Sequence, residues 1–333
     1  YNERVGINGV DASDADFCRA FTAIEQARGD TPLTYFEFGT LAALWLFREA
    51  QVDVQVLEVG LGGRLDAVNL VDADAAIVTS IGLDHMDWLG PDRASIAREK
   101  MGVARAGRPL VCAEIEPPDT IASCAAHAGA RLLQLGADFD FVETGATWTW
   151  GTPEVQRRKL PRPGLAGIAQ LRNAAGVLSL VHALDDVLPV TDAAIRSALP
   201  ALTLPGRCQR IGEVIVDVAH NAQAAQVLAD NLAAGGVDRV RLVLGMLGDK
   251  PVEDYCAVLA PQVERAYFAT LPGPRGLSSR VLAQRSGLRG ALFDDVAAAL
   301  AAARAESKGG EQVVVTGSFL TVAAAIEELR SHG

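Results

Sequence analysis

The sequence has no paired-cysteine motif, no long apolar run and no excess of basic residues. Its five cysteines are scattered, without CxxC spacing, which is typical of reduced thiols in a cytoplasmic protein. No run of about 18 apolar residues is present that would span a membrane. Lys and Arg number 30 against 41 Asp and Glu, a net charge of −11. This balance argues against nucleic acid as a partner.

Two nucleotide-binding motifs are also missing. The sequence contains no G-x-x-x-x-G-K-[ST] phosphate loop. Gly60, Gly62 and Gly63 are followed by Arg64 and do not fit the G-x-G-x-x-G motif, so a nicotinamide-dependent dehydrogenase is not favoured. Lysine is scarce as well, with four in the chain: Lys100, Lys159, Lys250 and Lys308. Because Arg supplies nearly all the positive charge, a retained Lys indicates chemistry that Arg cannot perform, with a solvated helix-face Lys as the alternative.

The sequence does contain short β-branched runs that alternate with helical stretches. Its 333 residues, at about 150 per domain, predict two domains. In the first part the pattern predicts strands at 53–59, 75–80 and 108–112, and helices at 38–50, 92–106 and 119–128. Strands that alternate with helices of this length predict an α/β fold with a parallel sheet.

The later part of the chain changes pattern twice. Residues 138–151 alternate with period two and predict a β-hairpin, and helices are predicted at 170–184 and 192–199. Pro and Gly at 203–207 indicate a boundary. Beyond it, strands are predicted at 214–219, 240–245, 265–270 and 312–317. We therefore predict two doubly wound domains, residues 1–203 and 204–333.

Polar residues that follow the strands are the first candidates for a site, since open parallel sheets bind ligands at the carboxyl ends of their strands. Glu58 ends the first predicted strand, and the glycines after it allow close approach of backbone to a ligand. A carboxylate in this position is paired or binds a metal. An ion pair with Arg64 is the structural alternative.

The next predicted strand leads to Asp84, His85 and Asp87. Imidazole and carboxylate groups suit a divalent cation, although a single His is often structural. With Glu58 on the neighbouring strand, they predict a metal site, and Lys100 lies in the following helix. A metal-dependent hydrolase that uses Glu58, Asp84 and His85 is an alternative, but it gives no task to the residues of the second domain.

Two strand-to-helix turns in the second domain carry polar residues. Asp217, His220 and Asn221 follow the strand at 214–219, and either His220 or Asn221 would cap the helix. Thr316 to Ser318 form a similar turn, whose main-chain N–H groups would bind an anion or only cap a helix.

Together these residues resemble the bacterial bifunctional dihydrofolate synthase/folylpolyglutamate synthase family, which belongs to the Mur ligase-type ATP-dependent amide ligases. The most specific stretches are LEVGLGGRLDA at 57–67 and DVAHN at 217–221. Further matching stretches lie at 1–5, 33–39, 79–85, 99–100, 204–207, 273–276 and 317–319. The resemblance implies a P-loop-type central domain and a Rossmann-like C-terminal domain. The phosphate loop of the family would lie upstream of Tyr1, so we expect the central domain to be incomplete at its N-terminus and the chain alone to be inactive or nearly so.

The resemblance also implies roles for individual residues. Metal ligands for two Mg²⁺ sites are implied at Glu58, His85 and Lys100, the last as a carbamate. Contacts to ATP as co-substrate are implied at Asn173, Arg207 and Asp217. Pterin or glutamate contacts are implied at Thr34, Tyr35, Phe36, Glu37, Asp66 and Asn221. Lys100 and His220 are the implied catalytic residues.

The implied reaction joins L-glutamate to dihydropteroate, or to tetrahydrofolate, through an acyl phosphate formed with ATP. The implied partners are these small molecules, and the resemblance favours a monomer. Two alternatives remain: a catalytically incompetent fragment, or another Mur-type amino-acid ligase.

Overall fold

The structure is a computed structural model, and it describes residues 1–165 and 167–331. The chain divides into two compact units, Tyr1–Asp138 and Phe139–Gly333. The domain boundary predicted at 203 and 204 lies inside the second unit and stays a prediction. No helix in the described residues is long and apolar enough to cross a membrane.

The first unit contains a three-stranded parallel sheet of order β3-β4-β5 and a separate two-stranded antiparallel ribbon, β1-β2. Its strands are β1 Gly6–Ile7, β2 Val10–Asp11, β3 Ala76–Val78, β4 Pro109–Cys112 and β5 Arg131–Gln134. Its α-helices are α1 Asp14–Arg28, α2 Tyr35–Glu49, α3 Met86–Leu89, α4 Arg93–Lys100 and α5 Thr120–Ala128. Short 3₁₀ turns occupy Asn2–Arg4, Ala67–Leu70 and Met101–Val103.

Two apolar clusters hold the first unit together. In one, Val78 and Leu110 of the sheet pack against Ile96 of α4 and Ile121 of α5. In the other, α1 and α2 pack on each other, with Phe17, Ala20, Ala42 and Leu46 buried between them. Both helices begin at a capping box, at Ser13 and at Thr34, which satisfies main-chain N–H groups of their first turns.

The structure corrects two predicted elements of the first unit. Residues 53–59 form no strand, and the side chains of Val54 and Val56 are exposed. An apolar run becomes a strand only when a neighbouring strand pairs with it, and none of the described strands does so. The helix predicted at 92–106 ends at Lys100 and tightens into a 3₁₀ turn, in which Gly102 packs closely on the backbone of Arg64.

The second unit contains a six-stranded sheet of order β13-β12-β11-β14-β10-β9, parallel except for β9, and an antiparallel sheet of β6, β7 and β8. The strands are β6 Asp140–Thr144, β7 Thr147–Gly151, β8 Gln156–Pro161, β9 Gln209–Ile211, β10 Val214–Val216, β11 Val240–Leu244, β12 Val263–Ala269, β13 Gly290–Phe293 and β14 Gln312–Thr316. The helices are α6 Ile168–Ala183, α7 Asp192–Ala201, α8 Ala222–Ala234, α9 Val252–Leu259, α10 Ser279–Ser286, α11 Val296–Glu306 and α12 Phe319–Ser331.

Helices cover both faces of the six-stranded sheet. Leu242 of β11 packs in a core with Leu228 of α8, whereas Val243, the next residue, packs in a second core with Leu300 of α11 and Val322 of α12. Successive side chains of a strand point to opposite faces, so this sheet is doubly wound, as predicted. Its carboxyl edge carries the turns at 217–221 and 317–318.

Candidate active site

Glycine residues let three segments of the first unit pack together. A Cβ atom on Gly62 would lie 3.0 Å from Cδ2 of Leu89 and 3.7 Å from Cβ of Glu99. A Cβ atom on Gly63 would lie 2.9 Å from the carbonyl oxygen of Lys100. The glycine loop, residues 60–63, therefore lies against both the short helix after His85 and the end of α4.

Hydrogen bonds fix this loop to the end of α4. The main-chain N–H of Arg64 donates to the carbonyl oxygen of Glu99 at 2.8 Å, and Nη2 of Arg64 donates to Oε1 of Glu99 at 3.0 Å. Nδ2 of Asn69 donates to the carbonyl oxygens of Arg64 and Gly102, each at 3.1 Å. Arg64 thus pairs with Glu99, and the ion pair with Glu58 considered from the sequence is not formed.

Glu58 has no protein partner among the described residues. Its side chain is exposed, and no hydrogen bond or ion pair within residues 1–165 and 167–331 engages its carboxylate. A carboxylate in this state keeps all its acceptor sites for an added cation or ligand.

His85 has a strained backbone conformation. Its φ of 51° and ψ of 38° lie in the left-handed region, directly before α3. Its main-chain N–H donates to Oδ1 of Asp84 at 2.8 Å, and its Nε2 lies 3.9 Å from the same oxygen. A non-glycine residue in this region costs on the order of 1 kcal/mol or more, and such residues cluster at functional sites.

Lys100 is not a solvated helix-face lysine, since its side chain is half-buried. Burial lowers the pKa of its ammonium group, and the Asp84 carboxylate opposes that shift. The electrostatic effect of Asp84 shows that the His85 turn, residues 80–85, lies near the end of α4.

The donor set of these segments suits a divalent cation in part. The Glu58 carboxylate and the His85 imidazole are ordinary metal ligands, whereas an ammonium group is not. Lys100 would join them only after its conversion to a carbamate, which carries a carboxylate. No group of three or more His, Cys, Asp or Glu side chains in the described chain is arranged to hold a metal ion.

A cavity of about 270 Å³ lies beside this site in the first unit. Its lining includes Tyr35 and Phe36 from the start of α2, Glu58, and Arg4. The ring of Phe36 lies against Gly60, where a Cβ atom would come within 2.6 Å of Cζ. Tyr35 and Phe36, which are predicted substrate contacts, and Glu58, a predicted metal ligand, therefore line the same cavity.

Three other predicted substrate contacts are engaged in local structure. Thr34 and Glu37 form the capping box of α2, in which Oε2 of Glu37 accepts from the Thr34 N–H at 2.7 Å. This hydrogen bond lowers the pKa of Glu37. Oδ2 of Asp66 accepts from the N–H groups of Gly60 and Leu61, at 3.0 and 2.9 Å, so Asp66 shapes the glycine loop.

In the second unit, main-chain N–H groups hold Asp217. Its Oδ2 accepts from Cys208 at 2.7 Å and its Oδ1 from Ala219 at 2.8 Å. Burial raises the pKa of Asp217, while these hydrogen bonds and the nearby Arg207 and His220 oppose the rise. The side chain of Arg207 is exposed, and its Cζ lies 5.9 Å from the ring centroid of Phe319.

The remaining predicted contacts of the second unit differ in their surroundings. Oδ1 of Asn221 accepts from the N–H of Ala224 at 2.8 Å and caps α8, which decides between the two capping alternatives. Nδ1 of His220 lies 2.8 Å from the carbonyl oxygen of Val218. Asn173, on α6, lies 3.5 Å from the Gln170 amide, and in the described residues no hydrogen bond joins it to Arg207 or Asp217.

Sequence reasoning missed Glu114 and Arg93, which hold the His85 turn through hydrogen bonds to Ile81. The sequence holds a signal for Glu114, because it is the first polar residue after the apolar strand at 109–112.

Comparisons with known proteins agree with this fold. Residues 206–319 match the family model described as Mur ligase, glutamate ligase domain. The chain is 45% identical over 331 residues to the dihydrofolate synthase/folylpolyglutamate synthase of Escherichia coli (strain K12), covering 98% of this chain and 77% of that protein.

Solved structures are similar over the whole chain. One is E. coli FolC in complex with DHPP and ADP, with a TM-score of 0.94 and 45% identity, covering 100% of this chain and 80% of that one. Another is the Yersinia pestis bifunctional folylpolyglutamate synthase/dihydrofolate synthase complexed with AMPPNP and Mn, with a TM-score of 0.92 and 46% identity, covering 99% and 79%.

The doubly wound sheet and the matched glutamate ligase domain define a Mur-type ligase. Within that class, the chain belongs to the dihydrofolate synthase/folylpolyglutamate synthase family.

Proposed function

We propose that the protein ligates L-glutamate to dihydropteroate, and to tetrahydrofolate, at the expense of ATP. The observation that carries the proposal is the cavity of the first unit, where the Phe36 ring and the Glu58 carboxylate line one space. The ring supplies a stacking face for a flat heterocycle. Glu58 lies two residues before the glycine loop, which packs against Leu89 and the end of α4. The names of the similar E. coli and Yersinia proteins support the same substrates.

The reaction proceeds through an acyl phosphate. A carboxylate oxygen of the folate-type acid attacks the γ-phosphorus of ATP, and ADP leaves. The amine of L-glutamate then attacks the acyl carbon, phosphate leaves, and the nitrogen loses a proton as the amide forms. Because both steps concentrate negative charge, the protein contributes mainly positioning and electrostatic stabilisation.

In this proposal Glu58 and His85 hold a Mg²⁺ ion, and Lys100 as a carbamate helps to hold a second one. The bound metal supplies charge neutralisation for the phosphates. The lowered pKa of Lys100 supports its assignment, because only the neutral amine reacts with carbon dioxide to form a carbamate.

Other residues of the proposed site act either at the pterin or at the phosphates of ATP. Phe36 and Tyr35 contact the pterin. Asp66 shapes the glycine loop and offers the pterin its one remaining acceptor site, since its oxygens already accept from the N–H groups of Gly60, Leu61 and Val68. Thr34 and Glu37 hold the start of α2, which carries both rings. Arg207 binds phosphate as an exposed guanidinium.

Asp217 and Asn173 are proposed to contact ATP, and His220 and Asn221 the glutamate. For Asn221 this is a second task beside capping α8. We also propose a monomer in the cytoplasm, a location that the five free cysteines support.

The direct test uses the protein expressed from its complete reading frame. With ATP, L-glutamate and dihydropteroate, we expect ADP release that needs both co-substrates, and dihydrofolate as the product by mass spectrometry. Tetrahydrofolate should replace dihydropteroate and gain one glutamate. ADP release with an amino acid other than glutamate, or without a pteroate-type acid, would contradict the proposal and favour another Mur-type ligase.

A further inference from the structure

A buried carboxylate lies next to the His85 turn and has no task in the reaction described above. Glu114 lies two residues beyond the end of β4, and its side chain is only 11% exposed. Its Oε2 accepts from the N–H of Ile81 at 2.7 Å, and its Oε1 accepts from the N–H of Ile115 at 2.9 Å. Burial of a carboxylate is costly unless hydrogen bonds compensate it, and here both oxygens are used.

Arg93 completes the same arrangement from α4. Its Nε donates to the carbonyl oxygen of Ile81 at 3.0 Å, and its Nη2 donates to that of Glu116 at 2.9 Å. Nη2 also lies 3.6 Å from Oε1 of Glu114. Both main-chain groups of Ile81 are therefore held by charged side chains, and the Ile81 side chain is buried in the core of the sheet.

Ile81 fixes the start of the turn that carries His85. The two residues are four positions apart, so the chain between them spans at most about 14 Å. The position of Ile81 therefore restricts where His85 can lie, and the left-handed backbone of His85 depends on its surroundings.

We propose that Glu114 is a positioning residue, which with Arg93 holds the His85 turn in the conformation that binds the metal. The metal consequence rests on the proposed function, since His85 is a metal ligand only there. Glu114 acts through the backbone of Ile81, because both its oxygens already accept main-chain N–H groups.

The substitution Glu114→Gln tests whether the carboxylate acts through its hydrogen bonds or only through the packing of its side chain. Glutamine has nearly the same volume but offers one acceptor oxygen, and its NH₂ group would face a main-chain N–H. One of the two hydrogen bonds, to Ile81 or to Ile115, is therefore lost. Glu116→Gln is the matched control, because the Glu116 side chain is exposed and the residue takes part through its main chain, with its carbonyl oxygen accepting from Arg93 and its N–H donating to Oε1 of Glu114 at 3.5 Å.

The experiment compares wild-type protein, Glu114→Gln, Glu116→Gln and Arg93→Lys by amide hydrogen exchange and by Mn²⁺ binding without nucleotide. For Glu114→Gln we expect exchange of the segment 81–85 to be faster by about 10-fold. We expect Mn²⁺ affinity to be weaker by about 10- to 100-fold, as for other outer-shell partners of metal ligands. Arg93→Lys should change both in the same direction, and Glu116→Gln should change neither.

Two results would overturn the proposal. Unchanged exchange at 81–85 in both Glu114→Gln and Arg93→Lys would show that these two side chains do not hold the turn. Weaker Mn²⁺ binding with unchanged exchange would make Glu114 a direct ligand. If the wild-type protein bound no Mn²⁺, the proposed function would fail, whereas the exchange result would still report on the turn itself.

Discussion

The candidate metal ligands of the first unit and the turn at 217–221 of the second unit differ in how far the protein itself stabilises their side chains. In the first unit, Glu58 has no hydrogen-bond partner in the described residues, His85 has a left-handed backbone, and burial lowers the pKa of Lys100. In the second unit, Asp217 and Asn221 accept hydrogen bonds from main-chain N–H groups. The first unit thus presents groups that need an added partner, and the second presents a turn that the protein already stabilises.

Buried hydroxyl groups also stabilise the turn at 217–221 of the second unit. Oγ1 of Thr316 lies 2.8 Å from the Tyr255 hydroxyl and donates to the carbonyl oxygen of Ala219 at 3.3 Å. The N–H of Gly317 donates to the same carbonyl oxygen at 3.1 Å. We therefore expect substitutions in the first unit to change chemistry before stability, and buried substitutions in the second to change stability first.

The largest effect is expected for Lys100→Arg. Arginine keeps a positive charge but cannot form a carbamate, so kcat for glutamate ligation should fall by about 10²-fold, a loss of several kcal/mol in charge stabilisation. The thermal midpoint should change little, because the side chain is only half-buried. Lys308→Arg, an exposed control, should behave as wild type. If kcat of Lys100→Arg were within twofold of the wild-type value, Lys100 would not contribute to the chemistry of the first unit as proposed.

Arg207→Ala should have the next largest effect. The loss of hydrogen bonds to a charged phosphate, about 1.5–3 kcal/mol, should lower kcat/KM for ATP by about 30-fold. The fold should remain intact, since the guanidinium is exposed and lies 5.9 Å from the centroid of the Phe319 ring. Kinetics with varied ATP and with varied dihydropteroate separate the two substrates. Arg210→Ala serves as the exposed control, and an equal loss there would assign the effect to general charge.

Phe36→Leu should give a smaller and more selective effect. Leucine keeps an apolar side chain but removes the ring face, worth about 0.5–1.5 kcal/mol, so KM for dihydropteroate should rise by about fivefold. KM for ATP should not change. Phe21→Leu, in the packing between α1 and α2, should lower stability and leave both KM values unaltered. An unchanged KM for dihydropteroate in Phe36→Leu would remove the ring from the pterin site.

The smallest kinetic effect is expected for Thr316→Val. Loss of the buried hydroxyl leaves the Tyr255 hydroxyl and the Ala219 carbonyl with fewer partners, which should destabilise the protein by about 1–2 kcal/mol. Denaturant unfolding measures this change, and Thr316→Ser should restore most of it. At temperatures where the variant is folded, we expect its kcat to stay close to that of the wild type. A Thr316→Val protein with wild-type stability and no activity would contradict the expectation that buried substitutions in the second unit change stability first.

The sequence predicted the fold well where local pattern decides the structure. Trp148 and Trp150 are both buried on one face of β7, in keeping with the period-two pattern of the predicted hairpin. Val313, Val314 and Val315 are buried on both faces of the six-stranded sheet, as an unbroken apolar run predicts for a parallel strand.

Prediction failed where distant contacts decide the structure. Residues 53–59 have a strand-like pattern, but no described strand pairs with them. Arg64 pairs with Glu99, 35 residues away, rather than with the nearby Glu58. Glu114 was overlooked because its partner, Ile81, is 33 residues distant. The residue types of the site were readable from the sequence, whereas the distant partners that hold them in place were not.

The central claim is that the first unit holds the metal through Glu58 and the His85 turn. Anomalous diffraction from crystals grown with Mn²⁺ and a non-hydrolysable ATP analogue tests it most directly. The account predicts a peak about 2.0–2.2 Å from an oxygen of Glu58 and a nitrogen of His85. A peak that contacts neither residue, at full Mn²⁺ occupancy, would contradict it.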